Sequence, residues 1–177
     1  MSVKKPAPKR RLTQVEAEKP VSSQSAAERK RAEAQVRALI DKFAPARLRL
    51  INATRRALLQ HLPTAHELVY EYRDCFVISY APNERGYEGA LAIRGSAEGI
   101  RLYFNSGKEI PDPAKLLQGS ARQVRWIALE TATTLARPEI ASLIVKAIAR
   151  HGVPFARAGS GSVIIRPTAA NKRSSSA

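Results

Sequence analysis

The chain has 177 residues, with 30 Lys and Arg against 15 Asp and Glu, which gives a formal net charge of +15 at pH 7. The length suits one domain, and with only 6% aromatic residues its core should be mainly aliphatic. The single cysteine, Cys75, excludes an intramolecular disulfide framework and fits a reducing cytoplasm, and no stretch approaches the ~18 apolar residues of a membrane helix.

Two thirds of the basic surplus lies in residues 1–40 and 156–177, which include two flanking segments, residues 1–24 and 156–177. The first contains three prolines and the basic run Lys9–Arg11, and the second ends in small polar residues. Neither has enough large apolar side chains to offset the entropy of ordering, so both are predicted to be disordered basic tails around a single domain at residues 25–155. Such tails have a sequence-independent affinity for polyanions, which leaves weak nucleic-acid binding open.

Two helices are predicted first. Ser25 and Glu28 have the spacing of a capping box, and apolar residues at helical spacing continue the first helix to residue 43, with residues 25–35 projecting into solvent. The second spans residues 46–61. Its predicted inward residues are Leu48, Ile51, Leu58, Leu59 and Leu62, and its predicted outward residues are Arg47, Arg49, Arg55 and Arg56. Pro63 ends it.

Residues 64–74 are predicted to add one more helical turn, after which the period falls to that of strands. Four strands are predicted, at residues 75–81, 89–94, 100–105 and 122–130. Residues 163–165 are short and apolar enough to pair with a sheet edge. Pro138 begins a last helix that Gly152 ends. The predicted class is α+β, with an antiparallel sheet of four to five strands, helices on one face, and the order α-α-β-β-β-β-α.

Several short sequence blocks occur in this chain in an order that is also found in a known protein family. They are Glu67–Tyr70, Pro82–Arg85, Leu102–Phe104, Leu116–Ser120, Gln123–Arg125, Leu129–Glu130, and Arg137–Pro138 followed by Leu143–Ile144. Over about residues 36–150 the chain thereby resembles the YdhG-like domain family of uncharacterised bacterial proteins, most specifically across residues 111–130. The resemblance implies a frataxin-like, YjbR/CyaY-like fold. The resemblance also raises frataxin-like iron handling as an alternative function, since a member of that family is assigned such a role.

Iron sites of that type need clustered carboxylates, and the first two predicted helices are rich in arginine instead. The nearest acidic set is Glu67, Glu71 and Asp74, which are weak metal candidates beside Arg73. No cofactor is implied. Cys75 at a strand start is better explained by packing than by catalysis, and no paired-carboxylate or phosphate-cradling motif occurs. The sequence therefore favours a protein that is not an enzyme.

Strand alternation should place aromatic and charged side chains on the uncovered face of the sheet. These are Arg94, Arg101, Tyr103, Trp126 and Glu130. Gln118, Arg122 and Arg125 lie at the junction between the Pro111 loop and the last strand, where they either hold an anion or tie the loop to the sheet. Whether the loop covers Trp126 stays open. The leading hypothesis is a binding module for a protein or small anionic ligand, with no membrane association; iron handling and nucleic-acid binding through the tails are the alternatives.

Overall fold

Three helices and a six-stranded sheet form the fold in the computed structural model, which describes residues 22, 24–86 and 89–167. In chain order the elements are α1 (Ala26–Phe43), α2 (Leu48–His61), β1 (His66–Glu71), β2 (Cys75–Ala81), β3 (Leu91–Ser96), β4 (Gly99–Phe104), β5 (Arg125–Leu129), α3 (Pro138–Ala149) and β6 (Val163–Arg166). Short 3-10 turns lie at Pro45–Arg47, Gly107–Glu109 and Ala132–Ala136. The α+β class predicted from the sequence is confirmed.

The strands lie in the order β5-β4-β3-β2-β1-β6. Consecutive strands from β1 to β5 pair antiparallel, whereas β6 pairs parallel with β1. The sheet is therefore mixed and six-stranded, and the prediction of four to five antiparallel strands was wrong in both respects. The element order also differs, with an additional strand before and after the predicted set.

The three helices pack on one face of the sheet. Their apolar stripes join the inward side chains of the strands in one core, including Val36, Ile51, Ile78, Leu102 and Ile144. The predicted inward residues of β3 and β4 are confirmed, since all of them are buried. Among the described residues, no helix has the length and apolar character to cross a membrane.

The predicted helical turn at residues 64–74 was wrong, because residues 66–71 form β1. This strand lacks a simple apolar alternation: Glu67 points to the core side, where its register partner is Tyr80 and where Arg55 neutralises it. The outward placement of Arg55 was also wrong, since only 9% of the residue is exposed. Spacing from Ile51 and Leu58 puts Arg55 on the inward stripe of α2.

The structure also corrects the predicted tails in part. Val163–Arg166 form β6 where a disordered tail was expected, and the proposed edge pairing of residues 163–165 is confirmed. The start of α1 does not project into solvent, because Arg29 Nη1 donates to the Gly161 carbonyl at 2.9 Å and Ala32 is buried. The Ser25–Glu28 capping box is present as predicted. Residues 1–21, 23 and 168–177 of the predicted tails lie outside the described residues.

Candidate functional site

The face of the sheet away from the helices is uncovered mainly over β4 and β5. At the β1 end, Leu68 is fully buried on this face, and the turn at residues 82–86 lies over it, with Tyr70 Oη donating to the Gly86 carbonyl at 3.2 Å. Over β4 and β5 the face carries Arg101 opposite Ala128 and Tyr103 opposite Trp126. We call these four residues the open-face strip. The predicted placement of Arg101, Tyr103 and Trp126 on one surface is confirmed.

Arg101 stacks on the only tryptophan of the chain. Its guanidinium carbon lies 4.4 Å from the centre of the Trp126 ring, at a distance typical of cation–π contacts. Glu98 approaches the same guanidinium at 3.5 Å, and Glu98 itself is 71% exposed. Within the described part of the chain the Arg101 guanidinium makes no hydrogen bond, so its donors remain available to a ligand.

Arg94 extends this face toward β2. It lies 3.7 Å from Asp74 and 3.9 Å from Glu98, both long for an ion pair. Its guanidinium is also beside the Cys75 thiol. Burial raises the pKa of that thiol above its ordinary value, although Arg94 acts in the opposite direction. Since the thiolate is the reactive form, this buried cysteine lacks the features of a nucleophile.

The loop before β5 folds back along the strand's outer edge. Gln118 and Trp126 exchange two backbone hydrogen bonds, of 2.8 and 3.0 Å, which form an isolated bridge. Gly119 follows with φ of +104°, and a side chain there would come within 3.1 Å of Trp126 Nε1. Asp112 anchors the loop by accepting the Leu117 N–H at 2.7 Å. The loop therefore covers one edge of the indole and leaves Trp126 half-buried, with its ring face against Arg101.

Of Gln118, Arg122 and Arg125 at the loop–strand junction, Arg125 takes the structural role that the sequence left open. Arg125 Nη1 donates to the carbonyls of Ala121 and Val124 at 2.6 and 2.8 Å, so this side chain ties the loop to the sheet. Arg122 is exposed. Gln118 instead joins another group of predicted residues at the edge of β5.

Two pockets flank the outer edge of β5. On the side of the open face, a pocket of about 320 Å³ brings together Arg101, Trp126, Gln118 and Glu130, with Arg47 and Glu98. On the helix side, a pocket of about 230 Å³ is lined by Leu116, Ile127, Ile140, Thr134 and Arg137. Gln118, Ala128 and Glu130 line both. Four of the seven predicted binding residues thus meet at one place, and Tyr103 is adjacent to them across β4 and β5.

The three acidic metal candidates lie in separate environments. Glu67 is buried, Glu71 accepts a hydrogen bond from Lys42 Nζ at 2.6 Å, and Asp74 is exposed near Arg94. Glu67 and Glu71 lie in a strand, where four residues span about 13 Å, so they cannot share one ion. Nowhere in the described ranges do three His, Cys, Asp or Glu side chains gather as metal ligands.

A buried ionic network that sequence reasoning missed joins α1, α2, β1 and β2. Arg55 makes paired hydrogen bonds to Glu67 at 2.9 and 2.8 Å and to Glu33 at 2.9 Å each, and Tyr80 Oη donates to Glu67 at 3.0 Å. Burial lowers the pKa of Arg55, but its two carboxylate partners outweigh this and raise the pKa overall. Burial, with the Glu67 charge, raises the pKa of Tyr80 well above its ordinary value. This network satisfies its own charges and offers nothing to a ligand.

A second polar cluster fastens β6 to β1. The Ser162 N–H donates to His66 Nδ1 at 3.2 Å, and the Ser162 hydroxyl donates to Glu84 at 3.1 Å. Burial lowers the pKa of His66, while the nearby Glu84 carboxylate opposes the change. Because a backbone N–H already occupies Nδ1 and the hydroxyl is turned to Glu84, the three residues do not form a nucleophile–base pair.

Comparisons with protein-family models, with curated proteins and with solved structures each find no match to this chain.

Proposed function

We propose that this protein is a non-enzymatic binding module that recognises a partner bearing carboxylates through the open-face strip and the adjoining edge of β5. The single observation that carries the proposal is the Arg101–Trp126 pair. A partly exposed guanidinium is stacked on an aromatic ring, and its one ionic partner in the described residues is Glu98 at 3.5 Å.

This combination suits recognition for two reasons. Arginine and tryptophan are among the residue types that most often dominate binding energy at interfaces. Tryptophan buries a large area with only two rotatable bonds, and stacking on it restricts the arginine before a ligand binds. A guanidinium held flat by a ring is also preorganised to take a carboxylate through two parallel hydrogen bonds. The competing carboxylate, Glu98, is 3.5 Å away and largely exposed, so an incoming acid can displace it.

The surroundings favour binding over catalysis. The two pockets at the edge of β5 are lined by arginine, carboxylate, threonine and aliphatic side chains, and the lone thiol lies on β2 with a raised pKa. Iron handling finds little support in the geometry, since Glu67 is committed to Arg55 and Glu71 to Lys42.

The test is affinity capture from native lysate with the immobilised full-length chain. We compare the wild type with Arg101→Ala and Trp126→Ala at low and high salt. Arg37→Ala is the matched control, because Arg37 is an exposed arginine paired with Asp41 on α1. The proposal predicts a discrete partner that survives high salt, is lost with either strip variant, and is retained by the control.

Two other outcomes would count against the proposal. Equal capture by all four proteins would place the binding surface elsewhere. Recovery of nucleic acid alone, lost for every protein at high salt, would favour a nonspecific electrostatic role for the basic segments.

A further inference from the structure

The outer edge of β5 has backbone groups without a partner. β5 ends the sheet, and the Gln118 bridge shows that the N–H and C=O of Trp126 point outward. Strand periodicity makes the same groups of Ala128 point outward too. No hydrogen bond reaches the Ala128 backbone from beyond β5 within the described residues, and the residue is exposed. An unpaired edge of this kind is a template for another strand.

The two pockets lie where alternate side chains of an added strand would go. Successive side chains of such a strand point to opposite faces of the sheet. One set would enter the helix-side pocket between Leu116, Ile127 and Ile140, and the other would enter the open-face pocket beside Arg101. The edge therefore offers both halves of strand-addition recognition: main-chain hydrogen bonds and pockets for alternate side chains.

Unpaired positive charge continues beyond the edge. Arg47 lines the open-face pocket, and Arg49 and Arg56 line a neighbouring pocket of about 540 Å³ with Thr131. These three arginines have no carboxylate partner in the described part of the chain. Arg47 shares its pocket with Glu98 and Glu130, whereas Arg49 and Arg56 line theirs without a carboxylate, so an acidic segment complements the arginine side of this end of the sheet.

A second copy of the chain does not fit the same edge. An antiparallel self-pair centred on Ala128 would place the partner's strand where the Gln118 segment already pairs with Trp126. A pair centred further along would align Ala128 with Ala132, which lies in a 3-10 turn and not in a strand. The accessible edge is short, so its occupant must be a few extended residues.

We propose that a short acidic peptide segment of a partner protein adds to β5 as an extended strand, hydrogen-bonded to the Ala128 backbone. It directs apolar side chains toward Ile127 and Ile140 and carboxylates toward Arg101 and the arginines beyond it. This inference rests on the proposed function and specifies its ligand as an extended peptide.

The test uses a phage-displayed library of random seven-residue peptides selected against the full-length wild-type protein. Selected peptides are then titrated against two variants at position 128 and against Arg37→Ala. Ala128→Pro removes the outward N–H without touching the β4–β5 ladder, because that N–H takes no part in it. Ala128→Ser is the matched control, since it keeps the N–H in a side chain of similar size.

The proposal predicts enrichment of acidic peptides with alternating apolar residues. Their dissociation constants should rise about tenfold or more for Ala128→Pro relative to Ala128→Ser, and stay unchanged for Arg37→Ala, whose arginine lies exposed on α1. If Ala128→Pro fails to fold, amide exchange on the wild type decides: peptide must protect the Ala128 N–H, and an unprotected N–H overturns strand addition.

The remaining outcomes separate this inference from the proposed function. Peptides that bind Ala128→Pro normally but lose affinity for Trp126→Ala would overturn strand addition. The same result would still support the proposed function as a binding module. Enrichment of peptides without carboxylates overturns the acidic ligand. Enrichment of no peptide overturns the inference, and the capture experiment with Arg101→Ala and Trp126→Ala then decides the proposed function on its own.

Discussion

The two ends of the sheet treat their polar groups in opposite ways. At the β6 end, Arg55 is bound by two carboxylates, Gln24 is hydrogen-bonded to the Val163 backbone, and Ser162 is bonded to His66 and Glu84. At the β5 end, Arg101 has a single carboxylate at 3.5 Å, and the Ala128 backbone is unpaired within the described residues.

This difference between the two ends distinguishes polar groups that stabilise the fold from polar groups that remain available to bind a partner. A buried charge must be fully paired, because an unpaired one loses its hydration without compensation. A half-exposed charge keeps water as its partner and can exchange it for a ligand. Satisfied groups at the β6 end therefore act within the protein, and unsatisfied groups at the β5 end are suited to act on a partner.

The largest effect should follow from replacing Arg55 with methionine. Glu67 would be left buried without its counter-ion, which typically costs about 3–5 kcal/mol of unfolding free energy. Urea denaturation measures this. Arg37→Met is the control, because the exposed Arg37–Asp41 pair is worth only about 0.3–0.5 kcal/mol. A loss no larger than that of the control would mean that the β6 end is not held by its ionic network.

Two glutamines give the next comparison. The Gln24 side chain both donates to and accepts from the Val163 backbone, at 2.7 and 3.0 Å, whereas Gln118 pairs with Trp126 through its own backbone. We expect Gln24→Ala to cost about 1–2 kcal/mol and Gln118→Ala to cost almost nothing. Chemical denaturation of both variants measures the difference, and equal losses would remove this contrast between the edges.

The stacking of Arg101 on Trp126 should contribute less to folding than to binding. A double-mutant cycle with Arg101→Ala and Trp126→Ala should give a coupling of about 0.5–1 kcal/mol in unfolding free energy, as for exposed cation–π pairs. A coupling of several kcal/mol would show that the strip is part of the stabilising framework and not reserved for a partner.

The smallest effect concerns the pH dependence of the β6 end. Burial lowers the pKa of folded His66 below its ordinary value of 6.5, so protonation favours the unfolded chain. The stability from neutral His66 is complete above pH 6.5 and decreases as the pH falls below it. Denaturation midpoints across that range should fall for the wild type and fall less for His66→Gln. Identical slopes would contradict this account of His66.

Much of the fold could be predicted because local periodicity specifies it. The helices and the strands β2 to β5 have regular apolar patterns. β1 was missed because Glu67 interrupts the apolar pattern on the side that faces the core, and its partner, Arg55, is 12 residues away. β6 was recognised only as an edge segment, since four residues between Gly, Ser and Pro carry little signal and its partner β1 is distant in sequence.

In the candidate site too, some features could be predicted from local periodicity and others could not. Alternation alone placed Arg101, Tyr103 and Trp126 on one face, because the pleat requires it. Alternation could not show that the Arg125 side chain donates to loop carbonyls, because that depends on the path of the Pro111 loop. It also could not show that the outward backbone groups of Ala128 have no partner in the described residues, because that depends on β5 being an edge strand. The signal for Arg55 was present in its spacing from Ile51 and Leu58.

Trp126 allows the most direct test of the central claim, because it is the only tryptophan in the chain and lies in the open-face strip. The measurement is its fluorescence emission during titration of the unmodified full-length protein with a captured partner or a selected peptide. The account predicts a saturable change in emission, with the same midpoint as binding measured by calorimetry. Saturable binding without any change in Trp126 emission would contradict it, because the partner would then occupy another surface.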